Sequence, residues 1–374
     1  MSILSNLWSF GGYVVPLLFV LGLIIFIHEM GHFLVGRWCG VKADVFSMGF
    51  GPELWHRIDK HGTRWRLAAI PLGGYVKFHG DANPASAGVD AAQMSEEEKK
   101  VSFFTQPVWK RAAIVFAGPL ANFLLAIVIF AVLSGTVGRY LTAPRVAALV
   151  EGGAAEKAGF QPGDLIISID GQPIRSWVEM QRVVQAAYDR ELNFGVERGG
   201  KDVTLKALPA VREMKTMFGK ARVNMIGLYG SSKPEDQVRL VLGPVDSVVD
   251  GIKETWFIVE RTGSYLGRLF VGKESTDQIS GLIGTGYVAG QVAKISFSAL
   301  INLAAVMSVS IGLLNLLPVP ILDGGHLVFY TIEALKGKPL SEKAQDYAFR
   351  LGFTIVIALM LLATFNDVMN LAGG

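Results

Sequence analysis

Val14-Val-Pro-Leu-Leu-Phe-Val-Leu-Gly-Leu-Ile-Ile-Phe-Ile-His28-Glu29-Met30-Gly31-His32-Phe-Leu-Val-Gly36 is an apolar run interrupted by three ionisable side chains. About 20 helical residues cross the ~30 Å hydrocarbon core of a bilayer, so the run is long enough to span it, and His28 falls roughly 21 Å from the Val14 end. An ionisable residue at that depth costs about 2.5–3.5 kcal/mol on insertion scales and is normally retained for a site. The i, i+4 spacing puts both imidazoles on one helical face, where they can share a Zn²⁺. Glu29 between them is then placed to take a proton from water. No basic region precedes the run and no clean small-x-small site follows it, so it reads as a retained span rather than a cleaved signal peptide.

The rest of the chain fits that reading. Of 374 residues 51% are hydrophobic and only 18% charged, and mean hydropathy is +0.40. Both point to a membrane protein. A dispersed net charge of +3 argues against a nucleic-acid partner. Cys39 is the only cysteine, which excludes an internal disulfide and a cysteine-based metal site. Any metal must use His, Asp or Glu. Three further apolar stretches, Val108–Leu133, Ile295–Leu317 and Leu351–Phe365, are expected to span. Arg37, Lys42, Lys99, Lys100, Lys110 and Arg111 flank the first two spans, and Lys336, Lys338, Lys343 and Arg350 separate the last two. By the positive-inside rule those two loops are cytoplasmic, and residues 139–294 lie outside. The zinc motif then sits near the cytoplasmic face.

Two histidines need a third ligand. At the end of the third span, Asn315-Leu-Leu-Pro318-Val-Pro320-Ile-Leu-Asp323-Gly324-Gly325 breaks the helix with two prolines, and such backbone is tolerated at membrane depth only where it is buried or lines a polar cavity. Asp323 is the expected carboxylate ligand, with His326 as the alternative. Taken alone, Leu-Asp-Gly-Gly is also a good turn.

Between the second and third spans the pattern changes to short strands. Arg145–Val150, Leu165–Ile169, Leu192–Val196 and Val203–Leu208 read as strands and Trp177–Tyr188 as a helix. Gly152-Gly153-Ala-Ala-Glu-Lys-Ala-Gly159-Phe-Gln-Pro162-Gly163-Asp164, followed by Ile169-Asp170-Gly171, closely resembles the core of a bacterial PDZ domain, a module that adds a peptide strand to its sheet edge. Such a module either binds a peptide end or merely packs and gates. Val245–Arg268 has the spacing of an amphipathic helix, to lie on the membrane or against the outer domain, or to serve as an ordinary domain helix.

Five motifs in this order resemble the site-2 protease family of intramembrane zinc metalloproteases, in its bacterial sigma-factor-regulating branch. They are His28-Glu-Met-Gly-His32, Phe46-Ser-Met-Gly-Phe-Gly-Pro52, Ile70-Pro-Leu-Gly-Gly-Tyr-Val-Lys77, Gly118-Pro-Leu-Ala-Asn122 and Asn315 to Asp323-Gly324. The resemblance implies zinc on His28, His32 and Asp323, Glu29 as general base, and Asn315 holding the substrate backbone or the developing oxyanion. It also implies a membrane-associated hairpin over Ile70–Phe78 that pairs with substrate. This chain shows one PDZ pattern where the best-known members of that branch carry two, and Leu282 in Gly281-Leu-Ile-Gly-Thr-Gly286 where they often have Pro.

The expected fold is a polytopic α-helical membrane protein of about four transmembrane helices with an inserted extracytoplasmic α/β PDZ domain. The expected segments are a first transmembrane helix with the zinc motif (1–36), a cytoplasmic loop with the hairpin (37–107) and a second helix (108–134). A PDZ domain (142–212) and an extracytoplasmic or interfacial helical region (213–294) follow. A third helix with the Asp-Gly motif (295–323), a cytoplasmic loop (324–346) and a fourth helix (347–370) complete the chain. The expected activity is zinc-dependent cutting, in the bacterial inner membrane, of a transmembrane segment of a single-pass regulator, an anti-sigma factor already trimmed outside. The alternative is a non-proteolytic adaptor that recruits partners through its PDZ domain.

Overall fold

The computed structural model describes residues 3–80, 94–187, 190–216, 219–272 and 274–372. The chain forms two units: Met1–Leu133 with Val245–Lys273 and Ile279–Gly374, and Ser134–Pro244 with Glu274–Gln278. Helix α1 (Ile3–Trp38) opens the first unit, and its Gly11–Trp38 portion is long and apolar enough to cross a membrane. Strands β1 (Ala43–Ile58) and β2 (Arg64–Phe78) follow as an antiparallel hairpin. β2 doubles back, so Ser47 pairs with Tyr75 on one side and with Arg66 on the other. On β1, Gly49 has a φ of 88°, and a Cβ there would lie 2.7 Å from the Ile70 carbonyl, so the doubled-back strand leaves no room for a side chain. A short helix α2 (Glu96–Val101), closed by a Ser95/Glu98 capping box, leads to α3 (Val108–Thr136), a second membrane-length helix. α1, the hairpin and α3 meet in a core of Phe33, Phe46, Phe78, Phe103 and Ile114.

The second unit begins with β3 (Arg139–Thr142), β4 (Val146–Leu149), the one-turn helix α4 (Ala154–Lys157), β5 (Leu165–Ile169) and β6 (Gln172–Pro173). Asp170 and Gly171, both at positive φ, form the two-residue turn between β5 and β6. Helix α5 (Trp177–Ala186) is capped by Ser176, which accepts from the Glu179 amide. Tyr188, the expected end of that helix, lies outside the described residues. β7 (Leu192–Arg198) and β8 (Lys201–Ala207) complete a four-stranded sheet of order β6-β5-β7-β8. Alternate residues Leu192, Phe194 and Val196 of β7 are wholly buried, with Ile166, Ile169, Met180 and Val184 around them. Asp164 is buried on Arg198 through bonds of 2.7 and 2.8 Å.

The unit does not stop near residue 212, where the sequence reading ends it. A hairpin of β9 (Ala210–Thr216) and β10 (Gly219–Met225) follows, then β11 (Leu228–Gly230) paired with β4 and β12 (Gln237–Leu240) paired with β3. The expected helical character of 213–294 therefore starts only at α6. Arg212, Glu213, Lys215, Lys220 and Arg222 dilute the apolar alternation of the hairpin, and the β4 and β3 pairings are long-range and leave no local pattern.

The chain returns to the first unit with α6 (Pro244–Phe270), whose small residues Ser247, Gly251 and Thr255 are buried. A Cβ on Gly251 would lie 2.5 Å from the Ile127 carbonyl, so this small-x-x-x-small seam packs directly on α3. α6 thus rests against a membrane-length helix, and Val245, Val248, Ile252 and Trp256 remain exposed. α7 (Leu282–Ile295) packs along α1 through Ala289, Val20 and Ile24. The buried Asp367 carboxylate accepts the Gly281 and Gly284 amides and the Ser280 hydroxyl, and a Cβ at Gly284 would fall 2.5 Å from it. That accounts for two of the glycines. Leu282 takes the first helical position, where proline is also readily accommodated.

α8 (Phe297–Asn315) is the third membrane-length helix and ends at Asn315, ahead of Pro318 and Pro320. The segment 324–346, expected as a loop, is mostly helix: α9 (Asp323–Lys336) starts at the Asp-Gly motif, and α10 (Glu342–Ala372), the fourth membrane-length helix, begins five residues earlier than expected. A buried ion pair explains α9, because Arg111 of α3 grips Glu333 at 2.6 and 3.1 Å and stacks over the Tyr330 ring. Among the described residues, four helices long enough to span and a mostly helical first unit make this a polytopic membrane protein.

Candidate metal centre

His28 and His32 lie one turn apart on α1, with Nε2 atoms 3.2 Å apart and ring planes at 85°. Gly31 between them lets α1 and α3 touch, since a Cβ there would sit 2.3 Å from the Ala117 carbonyl. On α3, Gly118 faces the imidazoles directly: its Cβ would be 2.3 Å from His32 Nε2 and 2.9 Å from His28 Cε1. The rings occupy the volume that a side chain would fill. His32 Nδ1 donates to the Ile114 carbonyl at 2.8 Å, which leaves Nε2 without a proton in the neutral ring.

The turn after α8 brings in the carboxylate. Gly324 and Gly325 pack so closely that Cβ atoms would approach the Leu316 and Leu317 carbonyls and the Val319 carbonyl to 2.3 Å. This tight fold of 316–325 sets Asp323 Oδ2 3.1 Å from His28 Nε2 and Oδ1 3.6 Å from His32 Nε2. Among the described residues, His28, His32 and Asp323 are the one group of three whose ligand atoms converge, all within 4.8 Å. His326 packs instead among Phe329, Tyr330 and Phe349, with ring centroids 5.5–6.4 Å away. Asn315 Nδ2 comes to 3.5 Å from His28 Nε2. Glu29 points towards β2, where its Cγ would lie 3.0 Å from a Cβ on Gly74.

These donors fit zinc. Two imidazole nitrogens and one carboxylate form a catalytic donor set with room for a fourth ligand, and the Asp323 Oδ2 is buried without a hydrogen-bond partner. Sequence reasoning assigned no role to Asn122, whose carboxamide ends 3.2 Å from His28 Nδ1 in the buried centre of the unit. The available signal was a polar amide in the middle of an apolar span, one turn past Gly118.

The family model of Peptidase family M50 matches residues 16–359. A protein of Agrobacterium fabrum named as a zinc metalloprotease is 46% identical over 365 residues, covering 97% of each chain. Metalloprotease MmpA of Caulobacter vibrioides is 39% identical over 95% of each chain. The regulator of sigma-E protease RseP of Escherichia coli is 30% identical over 98% of this chain and 100% of that one. That last alignment runs to 465 positions against 374 residues here, so part of the E. coli protein has no counterpart in this chain. A zinc enzyme, not an adaptor, is what this membrane chain encodes, and it belongs to Peptidase family M50, the site-2 protease family.

Proposed function

We propose that the protein is an intramembrane endopeptidase that cuts the transmembrane segment of a single-pass membrane regulator, an anti-sigma factor first trimmed on its outer side. The observation that carries this reading is the convergence of His28, His32 and Asp323 around a motif placed inside a membrane-length helix. His28 Nε2, His32 Nε2 and the Asp323 carboxylate would hold the metal. Bound there, zinc supplies Lewis acidity towards a water and towards the scissile carbonyl. Glu29 would take a proton from the attacking water onto its carboxylate and deliver it to the leaving amide nitrogen as the C–N bond breaks. Asn315 Nδ2 donates to the developing oxyanion.

A transmembrane helix hides its amides, so the substrate must be drawn out locally before attack. The Gly74–Phe78 half of β2 lies beside Glu29 and is paired on one side with β1, which supports a role as the edge that an extended substrate joins. The second unit supports the PDZ reading through its sheet, the helix α5 and the Asp170-Gly171 turn, and in that reading it admits trimmed substrates and excludes bulky ones. Basic residues flanking α1 and α3 favour a cytoplasmic position for the zinc end and a periplasmic one for the second unit. The exposed Trp38 and Trp109, on helix ends joined by Lys110 Nζ to the Cys39 carbonyl at 3.0 Å, suit that membrane interface. The fit to a bacterial inner membrane comes from the resemblance to the sigma-E regulating relative.

The test reconstitutes the protein in liposomes with single-span membrane proteins of its host, each with and without its soluble outer domain. The expected result is a cut inside the apolar span of trimmed forms only, reduced about 10²–10⁴-fold by Glu29→Gln. Cuts confined to soluble loops, or an active Glu29→Gln protein, would contradict the mechanism. Equal cutting of untrimmed forms would remove the gate.

A further inference from the structure

Asn122 is wholly buried in α3, in the motif Gly118-Pro-Leu-Ala-Asn122, and its backbone carbonyl accepts the Ser308 hydroxyl at 2.8 Å. Among the described residues its side chain bonds to His28 Nδ1, 3.2 Å from the atom assigned as Nδ2, while the atom assigned as Oδ1 is buried with no partner. Which end of a carboxamide is oxygen follows from the network around it. Here the far side of the ring decides. His28 Nε2 faces His32 Nε2 at 3.2 Å and Asp323 Oδ2 at 3.1 Å. To lend its lone pair to a metal, Nε2 must carry no proton, so the neutral ring keeps its proton on Nδ1. A proton on Nδ1 needs an acceptor, and an amide NH₂ cannot accept. With the carboxamide turned over, Oδ1 meets that N–H.

The neighbouring ring has the same arrangement. His32 Nδ1 donates to the Ile114 carbonyl at 2.8 Å, so α3 offers one acceptor to each histidine, with Gly118 between them leaving space for both rings. Pro119 follows Gly118 and has no N–H to give to the Val115 carbonyl. Metal-bound histidines commonly donate their second nitrogen to such an acceptor, which fixes tautomer and orientation.

We propose that Asn122 is a positioning residue for the metal: its Oδ1 accepts the His28 Nδ1–H hydrogen bond and holds the ring with Nε2 ready for zinc. The inference rests on the ligand set given under the proposed function. It is tested on the full-length protein in detergent, by chelator competition for zinc and by the absorption spectrum of the cobalt-substituted form. Asn122→Leu keeps the branched outline of the side chain and removes the acceptor. It should weaken zinc binding 10- to 100-fold and perturb the cobalt spectrum, while the zinc-free form melts no lower than the parent. Asn122→Asp restores an acceptor and should bind zinc at least as well as the parent. Parental affinity in Asn122→Leu would overturn the proposal. So would a loss in Asn122→Asp as large as in Asn122→Leu, or a loss in both that follows a lower melting temperature of the zinc-free forms. His28→Ala is the reference. If it loses zinc while Asn122→Leu does not, this inference fails alone; if it keeps zinc, the ligand set fails and takes the inference with it.

Discussion

Gly118 matters to the metal centre through the side chain it lacks. A methyl group there would fall 2.3 Å from His32 Nε2, and α3 cannot retreat, because Gly31 holds α1 against the Ala117 carbonyl. The rings would have to move. A displacement of about 1 Å at a reacting centre costs on the order of 10²-fold in rate, and that is the loss expected for Gly118→Ala in a cleavage assay. Unchanged turnover would mean that the imidazoles have slack that the packing denies them. At this scale the sequence is uneven in what it discloses. His28, Glu29 and His32 are legible because their geometry is local to one helix turn. Asp323 is readable only through topology, which brings the ends of two distant spans to one side. The role of Asn122 cannot be read from spacing at all, because it depends on which residue of α3 meets which ring of α1.

At the scale of elements, the second unit is held by an ion pair across its sheet. Burial alone would raise the Asp164 carboxyl, but the hydrogen bonds from Arg198, and after them the Gln161 amide, bring it below the ordinary carboxylate value. A folded-state pKa below the unfolded one gives stability that is fully present above about pH 4 and lost as pH falls through the lowered value. Arg198→Met leaves the carboxylate buried without its cation and should lower the melting temperature near neutrality. Thermal melts from pH 7 to pH 2 should show the gap between parent and variant closing in acid. A constant gap would assign the loss to packing instead. The strands β5 and β7 and the helix α5 are legible because period and capping are local signals. The β9–β10 hairpin was hidden by its charges. α9 was hidden by the assumption that a stretch between two spans is loop, when Tyr330 and Glu333 are fixed by Arg111 from far along the chain.

For the whole molecule, the four membrane-length helices among the described residues and the Lys and Arg beside them imply a sidedness that can be measured. An impermeant thiol reagent applied to intact spheroplasts should miss Cys39, and should label a cysteine placed at Asp202, exposed on β8. The opposite labelling pattern would invert the orientation and remove the periplasmic gate from the account. The number of spans was legible because hydropathy over about 20 residues needs no knowledge of packing. The extent of the second unit was not, since β3 pairs with β12 and β4 with β11 across almost its full length. The central claim is that one zinc ion is held by His28, His32 and Asp323 and worked by Glu29. Its most direct test is metal content per chain in the purified full-length protein and its variants. About one zinc is expected in the parent, Glu29→Gln and His326→Ala, and a clear loss in His28→Ala, His32→Ala and Asp323→Ala. Zinc retained in Asp323→Ala and lost in His326→Ala would contradict it.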